Sequence, residues 1–424
     1  MALAGAGPAR AQSAATTPAA AAAAATLTLP QALREARASL EVAIARGGLD
    51  AARADVRAAD HAPLPLLSAK AASIDLQHGV GGGSWVGRKR IDKSIGLDWT
   101  WERGGKRALR TRAAQEAADA AQQDLDDVVT QQLLATQAAF HDLLAAQERV
   151  ALTDALAQDA RQLADTAGRR VKAGDLARQD ASRIEIEAER ARADALAAQL
   201  DRQRAALALG QLTGRAAGAE RLAVSGAWTL REPPPMQADL ETLARQRADV
   251  RAAELRVRAA QAALEGARAL RKADVTIGAS IDHYPGTSNR LLELRAQMPL
   301  TWGYDYQGEI GRALAQRQQA EDQLEKTLRD ARAELRRLQL EAQTASARAR
   351  QYEQDILPRA REVAQTAENA YTRGGLALTD LLDARRTLRA TLLDALATRA
   401  DAAKAAAAWR LRSQDPSTDP DPLP

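Results

Sequence analysis

The sequence predicts a mainly α-helical chain carrying a membrane β-barrel element, built from a duplicated unit of helix, strand, strand, long helix and closing helix. Three observations predict it. The string Gly174-Asp175-Leu176-Ala177-Arg178-Gln179-Asp180 returns as Gly374-Gly375-Leu376-Ala377-Leu378-Thr379-Asp380, with Gly, Leu, Ala and Asp in the same register. The composition is 46% hydrophobic but only 3% aromatic across 424 residues, and Ala, Leu, Arg, Glu and Gln dominate. Ala has the highest helix propensity, and this mixture marks long packed helices rather than an aromatic-rich globular core. Finally, most of the few aromatics cluster in two short strand-like inserts, one in each half.

Residues 1–28 read as a signal remnant or a disordered tail: Ala9-Arg10-Ala11 has the small-x-small form of a cleavage site, and Thr16 to Ala25 is low in complexity. The first repeat spans 29–212. Its opening helix begins at Leu29-Pro30, where proline's missing N–H costs nothing, and runs to Ala62, where Pro63 and Pro65 stop it. Strands are predicted at 66–78 and 90–101. The second has Ile91, Ile95, Leu97 and Trp99 in alternation, and Gly79 to Gly83 form a loop between the two. A helix then runs to Gly168, about 100 Å at 1.5 Å per residue, with a seam at Val129, Leu133, Phe140, Leu143 and Val150. The first tip is 168–180, and a returning helix ends at Leu212.

A linker, the equatorial segment, covers 213–238 and ends in Pro233-Pro234-Pro235. The second repeat, 239–412, follows the same plan. It has a helix to Lys272, strands at 275–283 and 291–301, and a long helix from Gln307 to Arg373 with Pro358 inside it. The tip is 371–383, and a last helix ends at Leu411. Arg37-Ala38 aligns with Arg247-Ala248, and Arg107-Ala108-Leu109 with Arg312-Ala313-Leu314. Residues 413–424 are Pro- and Asp-rich and read as a disordered tail.

Several function classes are excluded. The net charge is only +4, with no polybasic block, so nucleic acid is not a predicted partner. No cysteine exists for disulfides or thiolate metal sites. His61, His78, His141 and His283 form no ligand-spaced cluster and read as surface or strand residues. No phosphate loop, serine elbow or His-x-x-x-His pair is present, so neither an enzyme nor a cofactor is predicted. No run of 18 apolar residues predicts a membrane helix, a test to which alternating barrel strands are blind. Seven of the twelve aromatics, Trp85, Trp99, Trp101, Tyr284, Trp302, Tyr304 and Tyr306, lie in or beside the strand inserts. Such rings suit a membrane–water interface. Two hairpins cannot close a barrel, and open sheet edges are not tolerated in lipid, so several chains would have to share one. The competing reading is a soluble scaffold of antiparallel coiled-coil hairpins with small sheets.

Four strings carry a family resemblance: Glu102-Arg103-Gly104-Gly105-Lys106-Arg107; Met298-Pro299-Leu300 followed by Tyr306-Gln307-Gly308-Glu309-Ile310; Ile356-Leu357-Pro358; and the Tyr, Gly, Asp and Asp spacing of Tyr371 to Asp383. In this order, from Leu29 to Arg412, the chain resembles the TolC-like outer membrane efflux protein family, most of all its heavy-metal-efflux (CzcC-like) branch. The resemblance implies a homotrimer with a 12-stranded barrel in outer membrane lipid and a long α-helical periplasmic tunnel. It implies a periplasmic adaptor protein and an inner-membrane RND-type pump as partners. The duct would conduct passively, with metal cations as the expected cargo. It also assigns Asp380, Asp383 and Tyr371 to the periplasmic gate, with Arg373 available as a substitute latch, because Leu376 stands where a basic gate residue is known. On the residues alone, acids in a first helical turn also serve the helix dipole. The glycines Gly174 and Gly374 permit tight turns. The tips with Leu176, Ala177, Leu376 and Ala377 are expected as exposed apolar knobs for an adaptor. Pro358, lacking an N–H, is a candidate hinge.

Overall fold

The computed structural model describes residues 26–84, 90–228, 239–285 and 287–413. The opening helix is two helices, α1 (Leu29–Arg37) and α2 (Leu40–Ala59). Thr28 and Gln31 form a capping box at the start of α1, and the Ser39 hydroxyl caps α2 by accepting from the Val42 N–H at 3.5 Å. The second half breaks at the aligned place. Helix α5 (Leu240–Gln246) and helix α6 (Ala248–Ala269) are separated by Arg247 in an extended conformation. The single helices expected over 29–62 and 239–272 are thus each divided. Periodicity conceals such breaks because the apolar pattern continues across a cap.

Helix α3 (Lys106–Ala173) is 68 residues long and returns as α4 (Arg178–Leu212). It passes through Gly168 without interruption and stops at Gly174, whose φ of 85° lets the chain turn. The Asp175 N–H reaches the Arg170 carbonyl at 2.8 Å, and the Gly174 N–H reaches Val171 at 3.1 Å. The same closure recurs where α8 (Leu357–Thr372) turns into α9 (Leu378–Ser413). There Gly374 has φ 74°, and the Gly375 N–H bonds the Ala370 carbonyl at 2.9 Å. Helix α7 (Gln307–Gln351) runs into α8 through one π-helical turn, Tyr352–Ile356, in which the Leu357 N–H bonds the Tyr352 carbonyl five residues back. Pro358 follows the π turn directly on a continuous helical path and lacks the N–H that would bond back into that turn.

Four strands form one antiparallel sheet in the order β1 (Leu66–Ala72), β2 (Asp92–Trp101), β3 (Val275–Tyr284) and β4 (Ser288–Gln297). The two hairpins are joined by pairing of β2 with β3, with Ile95 opposite Ile281 and Trp101 opposite Val275. The first strand is shorter than 66–78. It ends at Ala72, because the φ of 59° at Ser73 turns the chain out of the sheet; the Ser73 hydroxyl donates to Asp92 at 2.5 Å. The last strand lies at 288–297 rather than 291–301, because Pro299 has no N–H to continue a ladder. Among the described residues, β1 and β4 have no partner on their outer sides.

The packed core lies along the helices, not in the sheet. One cluster gathers Leu27, Ala32, Phe140, Leu143, Leu209 and Val224. Leu27 forms a short parallel bridge with Val224, so residues 26–28 belong to the folded body rather than to a tail. The linker lies across the helices here, since the Val224 N–H donates to Gln147 at 2.8 Å and Gln147 donates back at 2.9 Å. A second cluster joins Ala244, Val250, Ala331 and Leu335 in the other half. Residues 1–25 and 414–424 lie outside the described residues.

Candidate functional site

Alternation along the strands gives the sheet two unlike faces. One carries Ser68, Asp98, Thr100, Ser280, Asp282, Glu293 and Arg295. The other carries Leu67, Ile95, Leu97, Ile277, Ile281, Leu292 and Leu294, every one of them at least 49% exposed. A soluble domain would bury such a face. The polar face is internally paired. Arg295 donates to Asp98 at 2.9 Å, and the Ser280 hydroxyl donates to Asp282 at 3.2 Å. Gly278 makes room for the first of these pairs: a Cβ there would lie 2.0 Å from an Asp98 oxygen.

Five of the singled-out aromatics mark the helix-proximal end of the sheet. Trp99 and Trp101 project from the apolar face, 52% and 59% exposed. Trp302, at 88%, and Tyr304 lie in the connection from β4 to α7, and Tyr306, with φ 56°, precedes that helix. Tyr304 donates to Glu309 at 2.6 Å and lies 5.5 Å from the Tyr306 ring. Tyr284 is at the opposite end of the sheet and on the polar face, so it does not share their girdle. Trp85 lies outside the described residues.

The Glu102–Arg107 string is a clamp between the two halves. The Lys106 ammonium and the Arg103 N–H both meet Asp274, at 2.8 and 2.9 Å. Arg110 pairs with Glu102 at 2.9 Å and donates to the His61 carbonyl at 2.9 Å. Gly104, at φ 78°, lies so close to Lys272 and the Ala269 carbonyl that a Cβ would meet them at 3.0 and 3.3 Å.

At the other end of the long helices, the two tips are adjacent. Arg170 donates to the Tyr371 hydroxyl at 3.5 Å, which joins the α3–α4 turn to the α8–α9 turn. Arg170, which carries no signal of its own in the sequence, is thus a basic partner of Tyr371, and Arg373 is exposed. Asp380 and Asp383 are both exposed in the first turns of α9, three residues apart. The expected apolar knobs are less prominent than predicted: Ala177 and Ala377 are exposed, but Leu176 and Leu376 are half-buried. Behind the tips, arginines of α9 hold the hairpins together. Arg385 meets Glu368 of α8 at 2.6 Å, Arg386 meets Glu187 of α4 at 2.6 Å, and Arg389 pairs with Asp194. The Arg386 guanidinium holds the Glu187 carboxyl below its ordinary range, against the opposing effect of burial. A groove of about 370 Å³ beside these pairs is lined by Leu163, Ile184, Ala191 and Leu382.

The π turn is tied to α9 as well. Arg399 donates to Glu353 at 2.7 Å and approaches Glu148 at 3.8 Å, and Tyr352 reaches Asp394 at 3.4 Å. Glu148 in turn accepts from the Trp228 indole at 2.6 Å. His141 is only 3% exposed, not the surface residue expected, and it stacks on Trp228 with ring centroids 5.9 Å apart. Burial pushes its pKa down to about 4. Neither Trp228 nor this use of His141 carries a sequence signal, because both depend on the linker crossing α3. Among the described residues, no group of three His, Asp or Glu side chains could hold a metal ion.

The matches to known proteins agree with this geometry. The family model described as outer membrane efflux protein matches residues 29–215 and 240–411. The chain is 29% identical over 291 residues to the cobalt-zinc-cadmium resistance protein CzcC of Cupriavidus metallidurans, a stretch covering 68% of each. Its fold is similar to that of crystalline CusC, with a TM-score of 0.77, 17% identity and 91% of both chains covered. It is also similar to the outer membrane protein VceC of Vibrio cholerae, with a TM-score of 0.73, 22% identity and 91% and 96% covered. The chain thus belongs to the outer membrane efflux protein family: it is an efflux channel of the outer membrane reaching into the periplasm, a transport duct and not an enzyme.

Proposed function

We propose that three copies of the chain each contribute four strands to one twelve-stranded barrel, and that their helices continue it as a tunnel through the periplasm. The observation that carries this reading is a sheet with one apolar face and, among the described residues, two unpaired edges. Four strands are too few to close, and a free edge in hydrocarbon leaves N–H and C=O groups without partners. Because β1 and β4 run in opposite directions, β4 of one copy can pair antiparallel with β1 of the next. The polar face then lines the lumen and the apolar face meets lipid. The girdle of Trp99, Trp101, Trp302, Tyr304 and Tyr306 marks the periplasmic interface.

Transport in this duct is passive, driven by an inner-membrane RND-type pump joined through a periplasmic adaptor at the tips. Gly174, Leu176, Ala177, Gly374, Leu376 and Ala377 form the adaptor-contacting surface. Tyr371, tied by Arg170, with Asp380 and Asp383 and the nearby Arg373, forms the periplasmic gate. In threefold symmetry the two aspartates give six carboxylates around one axis, which favours cations. Metal cations are the proposed cargo, supported by the similarity to a cobalt-zinc-cadmium resistance protein. Pro358 and the π turn before it serve as the proposed hinge.

The chain has no cysteine, so paired substitutions on β1 (Ala69, Ala71) and β4 (Leu292, Leu294) report only edge contacts. Oxidation is expected to give covalent dimers and trimers in outer membrane fractions. A monodisperse monomer that needs no detergent would support the soluble scaffold instead and overturn the duct.

A further inference from the structure

Arg399 of α9 stands between two carboxylates on different elements. Its Nε donates to Glu353 in the π turn at 2.7 Å, while its Nη1 lies 3.8 Å from Glu148 on α3. The first contact is a hydrogen-bonded ion pair, and the second is an approach at the edge of ion-pair distance. All three side chains are half-buried, so water and salt screen these charges less than on an open helix surface.

Glu148 is engaged through its other oxygen. The Trp228 indole N–H donates to Oε1 at 2.6 Å, and it is Oε2 that faces Arg399. Trp228 belongs to the linker, which is also fastened to Gln147 of α3 and to Leu27. A hold on the linker and a hold on the π turn thus meet at one guanidinium. A guanidinium carries five donors in a planar fork and pairs best with a carboxylate that offers both oxygens. With Trp228 seated, Glu148 offers Arg399 one oxygen, and Glu353 keeps the guanidinium. With Trp228 withdrawn, both Glu148 oxygens are open and its charge has lost a donor, so the balance moves toward Glu148. The two acids are on unlike supports. Glu148 lies inside the 68-residue α3, whereas Glu353 lies in the π-helical turn between α7 and α8. Transfer of Arg399 therefore releases the π turn from α9. The contact of the Tyr352 hydroxyl with Asp394, at 3.4 Å, is too long to replace the lost pair.

We propose that Arg399 is a two-position switch that couples the linker to the periplasmic gate. In one position it holds Glu353, and the π turn is fixed. In the other, reached when Trp228 leaves Glu148, it pairs with Glu148, and the π turn is free to move. This rests on the reading of the π turn and Pro358 as the hinge. Displacing the linker then favours the open gate from a distance, because the two positions differ in which element Arg399 holds.

Purified full-length protein in planar bilayers would be scored for the fraction of time each channel spends open. Glu353→Gln removes the grip on the π turn and is expected to raise the open fraction about two- to fivefold, the effect of losing one partly exposed ion pair. Trp228→Phe keeps a ring over His141 but has no N–H, and should raise the open fraction over the same range. Glu148→Gln leaves no charge to draw Arg399 across. In that background Trp228→Phe should leave the open fraction where Glu148→Gln alone puts it, a non-additivity that independent sites would not show. An undiminished rise in the double variant, or no rise in Trp228→Phe alone, overturns the proposal. Where Glu353→Gln raises the open fraction and Trp228→Phe does not, the hinge stands and only the switch falls. Where Glu353→Gln gates as the wild type does, the π turn is not the hinge, and the switch falls with it.

Discussion

His141 makes a sharp prediction about acid. It is buried on α3 between the Phe140 edge and the Trp228 face, and among the described residues its Nδ1 has no hydrogen-bond partner. Burial is the largest reason for its low proton affinity. Asp142 works against that, while Lys404 and Arg410 add to it. The folded-state pKa of about 4 is below the unfolded value of 6.5. The unfolded chain therefore binds the proton first as pH falls. The stabilisation is complete above pH 6.5 and is lost progressively between 6.5 and about 4. Each pH unit of displacement is worth about 1.4 kcal/mol, so the whole loss is about 3 kcal/mol. His141→Gln keeps a polar side chain of similar size but cannot titrate. Its thermal unfolding midpoint in detergent should fall less than that of the wild type between pH 7 and pH 4.5. Exposed carboxylates contribute equally to both proteins and cancel in the comparison. If both midpoints fall by the same amount, His141 is not held neutral by burial and the reasoning fails.

Three further predictions follow from named contacts. Gly278→Ala places a Cβ on the Asp98 carboxylate and forces it away from its present seat beside Arg295, so the assembled barrel should dissociate at a lower temperature on semi-native gels; an unchanged transition would remove the pair from the account of assembly. Arg386→Gln with Arg389→Gln frees α9 from Glu187 and Asp194. At ~0.5–1 kcal/mol for each partly exposed pair, the open fraction should rise several-fold, read as higher single-channel conductance in planar bilayers; wild-type conductance would show that these pairs do not restrain the gate. Asp380→Asn with Asp383→Asn should shift the reversal potential in a salt gradient toward lower cation preference, and an unmoved potential would take both aspartates out of the pore lining.

What the sequence made legible was local. Gly174 and Gly374 stop their helices because each needs a left-handed φ, and that requirement is visible in one residue. The alternation of Ile95, Leu97 and Trp99 is likewise a property of one strand. Pairing between β2 and β3 was not legible, because it joins segments about 180 residues apart and no turn connects them. The breaks at Ser39 and Arg247 were hidden by continuous Ala-rich periodicity, although the Ser39 cap and Glu41 after it were a usable signal. Arg170 could not be chosen from many arginines until the tips were adjacent. Burial of His141 required the linker to bring Trp228 over it. The Trp and Tyr cluster was legible as a group, but composition does not say at which end of a strand a ring lies, and Tyr284 lies at the end opposite the others.

The π turn at Tyr352–Ile356 has a consequence for how this chain tolerates length changes. One residue of an α-helix corresponds to about 100° of rotation. The wide turn accommodates one residue more than a regular turn would, and so absorbs that residue without rotating what lies beyond it. Deleting a single residue between 352 and 356 would regularise the backbone and leave Leu357, Ala360 and Ala364 on the face they now bury. Deletion of one residue in that stretch should therefore be far better tolerated than deletion of one residue in the regular helix on either side, which would rotate everything beyond it by about 100°.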